Sequence, residues 1–130
     1  MEYIQCTPDG IAEVYPKIYR EVFGEEYRVL PHNLIVTGSL KDPIGYMCGF
    51  WMSENKFYIQ DAGVLPKHRN KGLLRQFHHI VESIKGCKLY TMTSNQNVIS
   101  MKTLLSSGFK PVGSRIGEDS VFYIDWMKEA

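Results

Sequence analysis

Lys67, His68, Arg69, Asn70, Lys71 and Gly72 concentrate cationic and amide-bearing side chains beside a residue that has no Cβ. They stand between two segments of different period. Phe57–Val64 is rich in β-favouring residues, and Pro66 stops it by withholding an N–H from the ladder. After Gly72 the apolar positions Leu73, Leu74, Phe77, Ile80, Val81 and Ile84 recur at the spacing of one helix face. The first N–H groups of a helix have no partners inside it, and the helix dipole is positive at that end. A strand, a basic turn and a helix start in this order suit an anion, above all a phosphate or pyrophosphate. The same residues also suit a solvated basic surface. No Gly-Lys-Ser/Thr follows Gly63 at the spacing of a nucleotide P-loop. Gly63 and Gly72 are also too far apart for a dinucleotide-binding glycine fingerprint.

The rest of the chain must supply the elements that hold this turn. With 130 residues and 44% hydrophobic content, it suits one globular domain with one core, residues 1–130. A formal net charge of +1 gives no strong overall steering toward nucleic acid or an anionic membrane, so any anion site is local. Met1-Glu2-Tyr3-Ile4-Gln5 has neither a basic n-region nor an apolar h-region, and no apolar run reaches the length of a membrane span. Cys6, Cys48 and Cys87 are odd in number and form no C-x-x-C pair, which fits free thiols in a reducing cytoplasm and no metal site. The neighbours His78 and His79 point in different directions on a helix and make a poor metal pair.

In order, Tyr3–Cys6 reads as a short strand. Ile11, Val14, Tyr15, Ile18, Val22 and Phe23 mark a helix ending near Gly24, with Pro16 expected to kink or split it. Asn33–Thr37 and Ile44–Met52 read as paired strands, with Gly45 and Gly49 as bulge or close-approach points. After the central strand, turn and helix, Lys88–Thr93 is a strand and Ser94–Asn97 is rich in N-capping residues. Val98, Met101, Leu104 and Leu105 then follow at helical spacing up to Gly108. Phe109–Ile116 and Ser120–Trp126 close the chain as a hairpin around Gly117-Glu118-Asp119. This order predicts an α+β fold: a mixed, mostly antiparallel sheet of six or seven strands with about four helices and a parallel step around the central helix.

Val64-x-Pro66-x-x-Arg69-x-x-Gly72, after a strand and opening a helix, is followed downstream by Asn97 and a helix ending in Gly108-Phe109. Together with the strand order, these motifs resemble the GNAT superfamily of acyl-CoA-dependent N-acetyltransferases, over nearly the whole chain and most firmly from Phe57 to Phe109. The resemblance implies acetyl-CoA as co-substrate and a primary amine, on a small molecule or a protein, as acceptor. It implies that Arg69, Asn70, Lys71, Gly72, Leu73, Leu74 and Arg75 cradle the CoA pyrophosphate, with Asn97 a further contact. It implies also that the central strand is splayed from Lys88–Thr93, so that the pantetheine arm bonds the strand edge near Gly63, Val64 and Leu65. An unpaired strand edge accepting an amide-bearing arm is sound backbone chemistry.

The chain departs from that pattern. Leu74 stands where the family usually has Gly or Ala, Leu104 where it often has a Tyr that protonates the leaving thiolate, and Met92 where some members carry a catalytic Glu. Acetyl transfer needs a neutral amine, a polarised thioester carbonyl and a proton for the departing thiolate. Backbone N–H groups near Val64 and Leu65 are candidates for polarising the carbonyl. Asp61, Glu54, Glu118 and Asp119 are candidate bases, each also suited to a solvated turn or strand end. Tyr58, Tyr90 and Tyr123 are candidate proton donors, and proton transfer through water, without a dedicated side chain, stays open beside them. The reading is therefore a cytoplasmic N-acetyltransferase, monomer or homodimer, working by direct attack in a ternary complex. The alternative is a binding or structural protein that keeps this fold and has lost the chemistry.

Overall fold

The computed structural model describes residues 3–129, and the side chains of all of these except 81–85. The helix-face positions Val81 and Ile84 thus lie outside the described side chains. Among the described residues seven strands form one mixed sheet in the order β1-β2-β3-β4-β5-β7-β6, with three α-helices. The strands are β1 Tyr3–Gln5, β2 Asn33–Gly38, β3 Pro43–Ser53, β4 Lys56–Val64, β5 Lys88–Ser94, β6 Lys110–Ile116 and β7 Phe122–Lys128. The helices are α1 Pro8–Phe23, α2 Leu73–Lys85 and α3 Val98–Ser106, and Pro66–His68 forms a single 3₁₀ turn. The parallel step falls where expected, β4 pairing with β5 at Lys56–Tyr58 and Lys88–Tyr90.

By backbone proximity the chain forms two units. One comprises the chain up to Phe50 with Ile59–Ile80, the other Trp51–Tyr58 with the chain from Val81 onward. In the first, α1 starts at a Thr7 cap whose hydroxyl accepts the Gly10 N–H, and it ends at Gly24 in the left-handed region. Its stripe of Ile11, Val14, Tyr15 and Ile18 is buried against Leu34, Val36, Tyr46 and Cys48. Pro16 does not split this helix, which is one reason three helices stand where four were expected. The carbonyl that Pro16 leaves without a partner belongs to exposed Ala12, where water can take the place of the missing N–H. Packing of the apolar stripe outweighs the local cost of the proline.

On α2, Leu73 and Phe77 are buried, and the Tyr3 ring meets Phe77 edge-on at 5.4 Å. A Cβ on Gly45 would lie 3.3 Å from the Gly63 carbonyl and 3.6 Å from the Phe77 ring, so Gly45 marks a close approach. The register irregularity of the β2–β3 pair instead falls between Thr37 and Gly38.

In the second unit, β5 and β6 both pair antiparallel with β7. The buried Trp126 indole donates to the Thr93 hydroxyl at 2.9 Å. Asn97 caps α3 by accepting the Ser100 N–H at 3.1 Å. At the other end Gly108, with φ +95°, closes a Schellman motif in which Phe109 N–H reaches the Leu104 carbonyl. The buried stripe of α3 is narrower than its spacing suggests. Leu104 is buried, whereas Val98 and Leu105 are half exposed or more.

Gly63 is where α1 meets β4. A Cβ there would stand 2.5 Å from Val22 Cγ1 and 3.2 Å from the Tyr46 ring. Gly63→Ala is therefore expected to destabilise the fold by about 1–3 kcal/mol in urea denaturation, since a β-branched neighbour on a helix has little room to turn. Gly72→Ala, with open space around the new methyl group but φ +73°, is expected to cost less, about 1 kcal/mol. Equal losses would show that packing at Gly63 does not set the α1 position.

Candidate functional site

The basic turn lies wholly in the first unit. The 3₁₀ turn delivers His68 N–H to the Leu65 carbonyl at 2.8 Å, and the chain then enters the left-handed region at Asn70 (φ +68°) and again at Gly72 (φ +73°). Asn tolerates that region better than other side chains, and Gly does so freely. Left-handed residues in a short turn are a backbone ingredient of anion-binding nests, in which successive amides turn to one side. α2 begins at once, and its first backbone bond runs from Gln76 N–H to the Gly72 carbonyl. Gly72 borders open space, for a Cβ there would meet nothing within 4 Å. Lys67, Arg69, Asn70, Lys71 and Arg75 are exposed, Leu74 is half-buried and Leu73 points into the core. Leu73 therefore contributes backbone, not side chain, to the turn.

Arg69 takes an unexpected role. Its Nε donates to the Val64 carbonyl at 3.0 Å, and its guanidinium also reaches the Val22 carbonyl near the end of α1 at 3.5 Å. The expected pyrophosphate ligand is thus also the brace that ties the turn to β4 and α1.

Along β4 the backbone groups alternate between its two edges. Leu65 N–H donates to the Ile44 carbonyl of β3 at 2.9 Å, and the Asp61 carbonyl faces Cys48 of the same strand. Asp61, Gly63 and Leu65 therefore turn their amides toward β3, while Ala62 and Val64 turn theirs to the opposite edge. Of the three residues expected at the pantetheine, Val64 alone offers its N–H to that edge. Leu65 N–H is already bonded and is not a free donor for a carbonyl.

Asp61 sits at the centre of a polar cluster on the α1 side of β4. Its Oδ1 accepts from the Tyr46 hydroxyl at 2.6 Å and the Cys48 thiol at 3.2 Å, and its Oδ2 accepts from the Tyr15 hydroxyl at 2.9 Å. The ring of Tyr15 meets those of Tyr19, Tyr27 and Tyr46 at centroid distances of 5.6, 5.5 and 5.9 Å. Burial pushes the Tyr15 and Tyr46 phenols and the Cys48 thiol well above their ordinary values, and the Asp61 charge adds to each shift. Sequence reasoning singled out Asp61 but missed these partners. Tyr15 and Tyr46 fit the apolar periodicity, and nothing local in their pattern signals that their hydroxyls converge.

The other candidates belong to the second unit. Tyr123 donates to Asp119 at 2.6 Å within the β6–β7 turn, and Tyr90 is half-buried on β5. Asn97 commits its side-chain oxygen to the α3 cap. Leu104, where a phenol was expected from the resemblance, is buried, and Met92 accepts from Arg115. Among the described residues, no group of three or more His, Cys, Asp or Glu side chains is placed to hold a metal ion, and no helix is long and apolar enough to cross a membrane.

The tyrosine cluster predicts an alkaline limit to stability. In the unfolded chain a thiol and the phenols lose protons near 9.0 and 10.0, whereas the folded chain holds them to higher pH. Below about pH 9 both states keep these protons; above it the unfolded state binds fewer, so stability falls as pH rises. Thermal melts from pH 8 to 11 are expected to show a falling Tm, with a shallower slope in Tyr46→Phe. A slope unchanged by that substitution would contradict the arrangement.

No protein-family model matches the sequence, and no curated protein sequence matches it. Solved structures do. The ribosomal-protein-S18-alanine N-acetyltransferase of Escherichia coli superposes with a TM-score of 0.77 at 10% identity, over 98% of this chain and 92% of its own. Ard1 of Thermoplasma volcanium gives 0.77 at 17% identity, over 99% and 97%. A GNAT family acetyltransferase of Elizabethkingia anophelis with acetyl-CoA bound gives 0.69 at 15% identity, over 99% and 97%. At such identities the likeness is one of backbone architecture, and by that architecture the chain has the fold of the GNAT acetyltransferases.

Proposed function

We propose that residues 1–130 form one acetyltransferase domain that moves an acetyl group from acetyl-CoA to a primary amine by direct attack in a ternary complex. The observation that carries this reading is the turn before α2, with left-handed backbone at Asn70 and Gly72, open space at Gly72 and cationic side chains on both sides. That combination suits a diphosphate better than a neutral ligand, because backbone dipoles and lysine and arginine charges act in the same direction. The fold agrees with it, and two of the similar solved structures contain acetyl-CoA.

In this reading the amides of Asn70, Lys71, Gly72, Leu73 and Leu74 hold the diphosphate, with Lys71 and Arg75 adding charge. Arg69 keeps the turn in place through the Val64 carbonyl. The outward N–H groups of Val64 and Ala62 are the donors for the pantetheine arm and the thioester carbonyl, and Gly63 lets α1 lie against the strand without blocking them. Acetyl-CoA, when bound, supplies the activated acetyl group. Tyr90 and Tyr123 are the proposed sources of the proton taken up by the departing thiolate. Asp61, the proposed base, would act from within a set of three donors, two phenols and a thiol.

Isothermal calorimetry with acetyl-CoA is expected to show saturable binding, and thiol release over an amine panel is expected to show turnover. Gly72→Asp places a β-carbon and a negative charge where the amides converge and is expected to weaken cofactor affinity by about 100-fold or more. Wild-type affinity in that variant would remove the turn as the diphosphate site. Binding without turnover on any amine would favour a protein that has kept the fold and lost the chemistry.

A further inference from the structure

Leu65 N–H donates to the Ile44 carbonyl of β3, and across a trans peptide the carbonyl of the preceding residue points the opposite way. The Val64 carbonyl therefore faces away from β3, on the same side as the Val64 N–H. The register of β4 with β5 runs over Lys56–Tyr58 and stops short of this residue. A side chain takes the carbonyl instead: Arg69 Nε donates to it at 3.0 Å. Arg69 is itself exposed, so its place at the carbonyl is one that is reached from solvent. The same guanidinium meets the Val22 carbonyl at 3.5 Å, a long and weak contact. None of the described ion pairs includes Arg69, so its charge rests against two neutral carbonyls. A diphosphate offers a guanidinium bidentate, charge-assisted bonds that are about twice as strong as those to neutral oxygens. In the turn such a group would lie nearby, since Gly72 is three positions further on.

We propose that Arg69 makes the chain select acyl donors by their diphosphate. In the free chain it covers the Val64 carbonyl; a diphosphate at the turn draws it off and opens that carbonyl to the pantetheine arm. The identity of the donor rests on the acetyltransferase reading, while the cover itself rests on the hydrogen bond. An amide-bearing arm lying along a strand edge uses both groups of one residue, accepting from its N–H and donating to its carbonyl. With Arg69 in place the arm gains the first bond and is denied the second, and its own N–H is left without an acceptor. Coenzyme A carries in one molecule the group that removes the cover and the arm that replaces it. A pantetheine thioester without the diphosphate has to displace a charged donor by a neutral amide, which is unfavourable. Arg69 is in this way a specificity-determining residue, acting against the arm when the arm comes alone. A residue that only braced the turn would act on both ligands in the same direction.

The test titrates pantetheine and coenzyme A by calorimetry into the full chain and into Arg69→Ala and Arg69→Met, each shown to be folded by circular dichroism. Arg69→Met keeps most of the aliphatic stem and removes every donor, so it decides the matter if Arg69→Ala does not fold. Both variants are expected to bind pantetheine about threefold or more tighter than the wild type, and coenzyme A about tenfold more weakly. Pantetheine affinity unchanged or reduced in the folded variants would overturn the proposal and leave Arg69 a brace. One measurement needs no substitution. Saturating inorganic pyrophosphate is expected to raise the wild-type affinity for pantetheine about threefold or more, and an affinity that it does not raise would overturn the proposal as well. These binding results with no turnover on any amine would count against the transferase reading alone. Turnover with no gain for pantetheine in the variants would count against the role of Arg69 alone.

Discussion

A carboxylate removed from bulk water has to find donors, and in this chain that requirement falls on Asp61 in the middle of β4. The donors come from elsewhere, Tyr15 on α1 and Tyr46 with Cys48 on β3. Tyr15 meets that requirement from the same face of α1 that its apolar stripe turns to the sheet. The same packing brings Val22, at the last turn of the helix, onto Gly63, where only the absence of a side chain lets the two approach. The Val22 carbonyl is then within reach of Arg69, which also holds the Val64 carbonyl. One polar contact at the centre of the strand is in this way linked through the helix to the geometry of the turn before α2.

The turn before α2 is defined more by its backbone than by its side chains. Its defining features are backbone ones: a proline that ends a strand, left-handed conformations at Asn70 and Gly72, and a helix start whose first amides have no partners within the helix. Such features survive wide changes in sequence. That fits a superposition over nearly the whole chain with solved acetyltransferases that share 10–17% of its residues. The departures at Leu74 and Leu104 concern side chains, and they bear on the chemistry while leaving the architecture intact.

Most of the element order was legible from the sequence because each signal was local. Period-2 runs, the 3.6-residue stripe after Gly72, the cap at Asn97 and the stop at Gly108 all lie within a few residues of the element they define. Pro16 was the exception, and for a physical reason. Its local preference to break a helix is outweighed by burial of Ile11, Val14, Tyr15 and Ile18, a contribution that depends on strands far along the chain. The turn itself was readable, since Arg69, Asn70 and Gly72 are residue types suited to cationic, left-handed backbone.

Side-chain direction and hydrogen-bond partnership were not readable. That Leu65 N–H belongs to Ile44 while Val64 turns its amide to the opposite edge follows from strand pairing, which only folding establishes. That Tyr15 reaches Asp61 across 46 positions of sequence has no local trace, because a tyrosine on an apolar stripe looks the same whether or not its hydroxyl finds a carboxylate. Residue order alone thus settled where strands, helices and the basic turn begin and end, since those depend on near neighbours. The assembled chain settled which groups face each other at the site, since burial and pairing are contributed by segments far apart.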